Sequence, residues 1–214
     1  MSFIKWAPDL FRWRTVQGKC QVFNPQSVLV GCLFFTLVPA LTPGSALAQD
    51  AMIPPKAVAG VATVPVDGDI NRYRAVLVET QEGADFYIYT DAGSGWEQAV
   101  HARDIVWRGG MYGQEPWMEV SEHGSLKIYS ENSAIGRNRW EQVLTIAYRG
   151  GVFVIAGYTY SHYDTLDPDA SGQCDVNLLT GKGIQDGKTF RTALKTVAVA
   201  DWTMDTRPPE CALE

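Results

Sequence analysis

An acidic stretch, YDTLDPDASGQCDVN, spans residues 163–177 and contains the residue types of a calcium-binding loop. Counting from Asp167, oxygen-bearing side chains fall at positions one, three, five and nine, and the glycine at position six allows a sharp turn. Position twelve is Leu178, where an EF-hand loop has a bidentate glutamate. Proline, aspartate and serine also form such turns without a metal. The sequence therefore predicts a turn with at most weak calcium binding, and its candidate ligands are Asp167, Asp169, Ser171 and Asp175.

Motifs that indicate catalysis do not occur in this sequence. We find no Gly-x-Ser-x-Gly elbow, no HExxH pair, no phosphate loop and no dinucleotide fingerprint. The histidines, His101, His123 and His162, are too far apart in sequence for the short spacings usual in zinc sites. Acidic residues between positions 97 and 141 mostly alternate with apolar ones, which is typical of the solvated face of a strand. We predict no catalytic residue and no cofactor other than weakly bound calcium.

Aromatic residues provide one candidate recognition surface. The segment GYTYSHYD, residues 157–164, combines tyrosines and a histidine beside the acidic loop. Aromatic residues on strands most often pack in a core or across strands, but where they are exposed they can bind a ligand. The candidate binding residues are Tyr158, Tyr160, His162 and Tyr163.

Residues 1–48 have the features of a secretory signal peptide. Basic residues precede an uncharged apolar run at positions 27–41, and Ala46-Leu47-Ala48 fits the small-x-small cleavage rule. An uncleaved anchor is the alternative, although the run is shorter than the ~20 residues of a membrane span. We expect a periplasmic or secreted protein that is not an integral membrane protein once it is processed.

Cleavage after Ala48 would leave a strongly acidic chain. The leader holds four basic residues and one acidic residue, and subtracting them from the totals of 18 and 24 leaves 14 basic and 23 acidic residues, a net charge of −9. Nucleic acids and anionic lipid surfaces bind basic patches, so we expect neither as a partner. A basic protein or cations would suit this charge.

Two of the four cysteines, Cys20 and Cys32, would be removed with the leader. Cys174 and Cys211 remain, and two cysteines in an exported protein most often form one disulfide. A catalytic thiol is the alternative, but neither cysteine has a histidine close to it in sequence. We therefore predict a bond between Cys174 and Cys211.

The fold class predicted from the pattern is all-β. From Arg72 onward, short stretches rich in β-branched and aromatic residues alternate with turns rich in Gly, Asn and Pro. We expect an antiparallel meander of short strands that forms a sandwich, a barrel or a propeller-like sheet. Residues 49–66 are an extended lead-in with one strand near its end, and residues 67–214 form a single domain.

The best-defined unit is a hairpin at residues 139–161, with Gly150-Gly151 as its two-residue turn. Regular pairing would put one apolar set on the core face: Leu144, Ile146, Phe153 and Ile155. The same register would place Tyr158 opposite Val143 and Tyr160 opposite Glu141, on the other face. A second hairpin is predicted with Asp186-Gly187 as its turn.

Two stretches resemble known families. The segment GDINRYRAVLVETQEGADFYIYT is similar to the opening of FG-GAP or VCBS-type repeats, which begin with a Gly-Asp-x-Asn turn before an apolar strand. The segment WEQVLTIAYRGGVFVIAGYTYS, followed by DVNLLTGK, resembles a pattern in uncharacterised exported proteins of proteobacteria. These resemblances imply a β-rich exported fold and carry no activity.

The expected function is that of an exported, periplasmic, non-catalytic protein that binds a ligand or another envelope or exported protein. One alternative is an inhibitor or immunity protein against a basic cell-wall-cleaving enzyme, because an acidic surface steers association with a cationic target. A second alternative is a hydrolase of an unrecognised type.

Overall fold

A computed structural model describes residues 53–67 and 69–212 of the chain. The predicted signal peptide and its cleavage site lie outside the described residues. The strands of the first half are β1 (Val58–Val66), β2 (Asp69–Glu79), β3 (Gly83–Asp91), β4 (Trp96–Trp107), β5 (Trp117–Val120) and β6 (Leu126–Asn132). Those of the second half are β7 (Asn138–Arg149), β8 (Val152–Asp164), β9 (Ser171–Asn177), β10 (Lys182–Gln185), β11 (Lys188–Arg191) and β12 (Val197–Ala198). Short 3₁₀ helices lie at Pro55–Ala57, Val199–Asp201 and Pro209–Cys211. Within the described ranges, no helix has the length and apolar character needed to cross a membrane.

The strands form two antiparallel sheets, which confirms the all-β prediction. The first sheet has the order β1-β2-β3-β4, and each strand pairs with the next one along the chain. The second sheet has the order β11-β10-β9-β8-β7-β6-β5, and β12 is added beside β8. Residues 58–66 of the predicted lead-in form β1, which belongs to the first sheet because it pairs with β2 along its length.

One hydrophobic core lies between the two sheets. Alternate residues of each strand point to the same face, so each sheet buries every second side chain. The first sheet contributes Leu77, Phe86 and Ile88, and the second contributes Leu126 and Ile128, all fully buried. The core set predicted for the 139–161 hairpin is also buried, as Leu144, Ile146, Phe153 and Ile155 show.

Both predicted two-residue turns are present. Gly150 and Gly151 join β7 to β8 with φ values of 58° and 87°, a left-handed conformation that glycine adopts without steric cost. Asp186 and Gly187 join β10 to β11 with φ values of 47° and 78°. The turn chemistry of these short segments therefore fixes where each hairpin reverses.

The pairing of β7 with β8 is regular only next to the turn. Tyr148 pairs with Phe153 and Ile146 pairs with Ile155, as predicted. Thr145 then pairs with Gly157, which leaves Ala156 as one extra residue on β8. The extra residue makes a β-bulge and reverses which face each later residue of β8 occupies.

The bulge makes the predicted register wrong beyond residue 156. Tyr158 lies opposite Leu144, and Tyr160 lies opposite Gln142, so both tyrosines are on the core face. The physical reason is a change of neighbour, because β8 pairs with β12 at residues 154–155 and with β9 from Gly157 onward. The carbonyl of Ala156 accepts the N–H of Leu178 at 2.9 Å, which satisfies the backbone at the change.

The segment after β11 completes the core. Trp202 is 0% exposed, and its ring centre lies 6.1 Å from that of Tyr158. The backbone N–H of Met204 donates to the carbonyl of Asp104 at 2.8 Å, which ties the segment to β4. Cys211 is bonded to Cys174 with a Cα–Cα distance of 5.6 Å across a sequence separation of 37 residues. The predicted disulfide is confirmed.

Candidate binding site

A row of aromatic rings lines one end of the space between the sheets. Trp140 on β7 lies next to Trp107 at the end of β4, with ring centres 5.2 Å apart. On its other side Trp140 stacks with Tyr160 at 6.0 Å and an interplanar angle of 19°. His162 continues the row at 6.2 Å from Tyr160. The row depends on the bulge, because only the shifted register puts Tyr160 and His162 on the same face as Trp140.

The last rings of this row border a cavity of about 380 Å³. Small-molecule sites typically enclose about 300–1,000 Å³, so a compact ligand would fit. Tyr160 and His162 line the cavity, and β7 contributes Asn138, Arg139 and Trp140. Tyr163 and Asp164, at the end of β8, and Ala170 in the following loop complete the lining.

Several buried side-chain nitrogens at this end have no hydrogen-bond partner among the described residues. They are Nδ1 of His162, Nη1 of Arg139 and Nε2 of Gln142. A buried polar group without a partner costs about 1–3 kcal/mol, so native structures rarely keep one unless it has a role. Arg139 and His162 line the cavity, and Gln142 lies opposite Tyr160 on the core face. Arg139 and Gln142 could donate hydrogen bonds to a ligand, and Nδ1 of His162 could donate or accept one, depending on its tautomer.

Tyr160 remains a hydroxyl donor at neutral pH. Burial raises the pKa of this tyrosine, and the positive charge of Arg207 opposes the rise only in part. Tyr160 therefore presents a neutral polar tip on an aromatic body, a combination common at binding surfaces.

The loop beside the cavity is held by Asp164. Its carboxylate accepts the backbone N–H of Leu166 at 2.8 Å and pairs with Nε of Arg137 at 2.5 Å. The Leu166 N–H, followed by the Arg137 guanidinium, holds the pKa of Asp164 below its usual range, although partial burial acts in the opposite direction. Asp164 is therefore an ionised structural anchor of the 165–170 loop.

One candidate calcium ligand, Asp175, is not brought close to the turn that contains Asp167 and Asp169. The carbonyl of Asp167 accepts the N–H of Ala170 at 3.0 Å, which closes a turn around Pro168. From Ser171 onward the chain is β9, so Asp175 lies four strand residues further on, about 13 Å away. Two ligands of one calcium ion lie within about 5 Å of each other. Within residues 53–67 and 69–212, no group of three or more His, Cys, Asp and Glu side chains could hold a metal ion.

The four predicted binding residues differ in how far the structure buries them. Tyr158 is only 2% exposed and packs toward Trp202, so it belongs to the core, and its proposed place in a surface was wrong. Tyr160 and His162 are half-buried on the core face, and Tyr163 is 51% exposed. Sequence reasoning missed Trp140 and Arg139. Both lie at the start of the predicted hairpin, and their spacing to His162 depends on the bulge.

A second polar cluster lies on the outer face of the first sheet. Nε2 of His101 lies 3.1 Å from Oδ2 of Asp85, and the His101 ring stacks on Tyr87 with centres 4.3 Å apart. Oδ1 of Asp85 accepts the backbone N–H of Asp104 at 3.0 Å. Asp104 has a φ of 44° within a bulge of β4, and Thr80 donates to its carboxylate. The cluster therefore stabilises that bulge.

Comparison with protein-family models, with curated proteins and with solved structures gave no match.

Proposed function

We propose that this chain is an exported, non-catalytic binding protein of the bacterial cell envelope, and that its ligand occupies the cavity beside Trp140, Tyr160 and His162. The observation that carries the proposal is the combination of stacked rings with buried side-chain nitrogens that lack partners at the same place. Export is supported by the sequence features of residues 1–48.

The cavity favours binding over acid–base catalysis. A catalytic histidine is normally oriented by a hydrogen bond to its second ring nitrogen. Nδ1 of His162 has no such bond among the described residues, and the carboxylate of Asp164 is engaged by Arg137 and Leu166. The lining residues therefore supply surfaces and donors, without an assembled base and nucleophile.

The side chains that line the cavity indicate which kind of ligand it binds. Stacked aromatic faces suit a ring with an apolar side, and N–H donors suit hydroxyl, carbonyl or carboxylate oxygens. Arg139 adds a positive charge that favours an acidic group. Envelope glycan fragments offer sugar rings together with carboxylates, so soluble peptidoglycan fragments are the first probe.

Calorimetric titration of residues 49–214 with soluble peptidoglycan fragments tests the proposal. We expect saturable binding that falls at least about tenfold in Trp140→Ala, since truncating a stacked aromatic anchor costs more than about 1.4 kcal/mol. Circular dichroism of the variant would establish that it is folded. Unchanged affinity in folded Trp140→Ala would refute the site.

Glycine variants provide a second test that leaves the rings in place. A Cβ atom at Gly172 would lie 2.6 Å from Cε1 of His162, so Gly172→Ala should displace the imidazole and weaken binding. Gly110 is the matched control, because a Cβ atom there would meet nothing within 4 Å. We expect Gly110→Ala to bind like the wild type.

The acidic charge favours one other function, inhibition of a basic cell-wall-cleaving enzyme. A pull-down from envelope extracts distinguishes the cases. An inhibitor should recover one enzyme in stoichiometric amount, an envelope binding protein several components, and a hydrolase no stable partner. Mass spectrometry of the protein from its native host tests export, which predicts a chain beginning close to Gln49.

A further inference from the structure

A second cavity, of about 550 Å³, lies along the β9–β10–β11 part of the second sheet. Its volume is within the range usual for small-molecule sites. Lys182 and Ile184 of β10 line it, together with Thr189, Phe190 and Arg191 of β11 and Asp175 of β9. None of these residues lines the Trp140 cavity.

Two positive charges face each other at this cavity. Lys182 pairs directly with Arg191 across the β10–β11 ladder. Like charges directly opposite on antiparallel strands are destabilising. The ion pairs found among the described residues involve other side chains, so neither cation is neutralised by a carboxylate. Natural proteins keep such a local conflict where it has a function.

The acid in the lining does not remove this conflict. Asp175 pairs with Ile184 and is the diagonal neighbour of Lys182 on that face, but it forms no ion pair with either cation. Its Oδ2 accepts the hydroxyl of Thr159 at 2.8 Å. Arg191 is held in place on the other side, where its Nη1 donates to the carbonyl of Thr180 at 3.4 Å.

An apolar surface adjoins the two cations. Ile184 is 51% exposed on the same strand as Lys182, two residues further along and on the same face. The ring of Phe190 lies against the backbone of Gly183, where a Cβ atom would be 2.3 Å from the ring. Gly183 and Phe190 lie on the opposite face of the hairpin from Lys182 and Ile184, so this ring packs toward the core and Ile184 provides the apolar surface beside the cations.

We infer that this cavity binds an organic anion with a short aliphatic body. Its carboxylate lies between the ammonium of Lys182 and the guanidinium of Arg191, which suits planar acids. Its aliphatic part covers Ile184. The bound anion relieves the repulsion between the two cations, so ligand binding and hairpin stability are linked.

Titration of residues 49–214 with sodium octanoate at low salt tests the inference. We expect saturable octanoate binding that weakens as salt is added. Acetate lacks the aliphatic body and should bind at least about tenfold more weakly, which corresponds to about two buried methylene groups. Octanol lacks the charge and should also bind more weakly.

Charge variants test whether Lys182 and Arg191 bind the carboxylate of octanoate. Lys182→Gln with Arg191→Gln should lose at least about tenfold in octanoate affinity, whereas Lys188→Gln on the same hairpin should keep it. Without ligand, the double variant should have a Tm equal to or above that of the wild type, because the repulsion is removed. Unchanged octanoate affinity in the double variant, a lowered Tm without ligand, or equal binding of acetate or inorganic phosphate would each overturn the inference.

Discussion

Truncation of Trp202 is the sharpest test of how the two sheets are held together. The indole is fully buried between them and is the largest fully buried side chain among the described residues. Replacing a buried Trp by Ala costs about 3–5 kcal/mol, because apolar burial is lost and a cavity remains. A natural domain has about 5–15 kcal/mol of total stability, so Trp202→Ala should remove a large part of it.

Trp202→Phe is the matched control. It keeps an aromatic ring in the core and removes the indole Nε1, which has no hydrogen-bond partner among the described residues. The smaller phenyl ring loses packing energy, but removal of an unsatisfied buried donor offsets part of that loss. We therefore expect Trp202→Phe to cost less than about 1.5 kcal/mol.

Urea denaturation followed by far-ultraviolet circular dichroism measures both variants with the disulfide intact. The expected result is a lower midpoint for Trp202→Ala with a similar m-value. A loss below about 1 kcal/mol in Trp202→Ala would mean that the indole does not fill the core. An equally large loss in Trp202→Phe would mean that the N–H makes a stabilising bond.

Three further outcomes are expected. Asp164→Asn should lower the stability at pH 7, and the difference from the wild type should shrink as the pH falls below about 4. Folding lowers the pKa of Asp164, so its ionised carboxylate stabilises the fold above the pKa of the unfolded chain. This stabilisation is lost as the pH falls through the lower pKa of the folded state. A pH-independent difference in urea midpoints would contradict this. A thiol count on the denatured, unreduced chain 49–214 should find none, and reduction of Cys174–Cys211 should cost roughly 4 kcal/mol from loop entropy; one free thiol per cysteine would disprove the bond. Ile146→Ala should cost about 2–5 kcal/mol in the same urea assay, and a loss below about 0.5 kcal/mol would place it outside the core.

Local signals in the sequence predicted much of the fold. Gly150-Gly151 and Asp186-Gly187 identify their turns because few residues tolerate positive φ, and the apolar alternation beside each turn identifies the buried face. The disulfide was predictable because only Cys174 and Cys211 lie outside the predicted leader. The turns and the buried faces depend on residues that are close in sequence, and the disulfide prediction depends on the number of cysteines.

The candidate site could be predicted only in part, because it depends on long-range contacts. The bulge at Ala156 lies where β8 changes from β12 to β9, and both neighbours are distant in sequence. A regular period of two therefore assigned Tyr158 to the wrong face and left Trp140 unconnected to His162. The acidic loop forms the predicted turn between Asp167 and Ala170, but its motif did not show that β9 begins at Ser171 and carries Asp175 away from that turn.

The position of Trp202 has a consequence for the order in which the chain can fold. A ribosome makes β1 to β12 before it makes Trp202, whose indole completes the core between the two sheets. Cys174 likewise waits for Cys211. Contacts between residues far apart in sequence form late and slowly, so the core stays open until Trp202 and Cys211 have been made. A protein that must be threaded unfolded through a membrane pore, as the proposed export requires, benefits from a core that closes last.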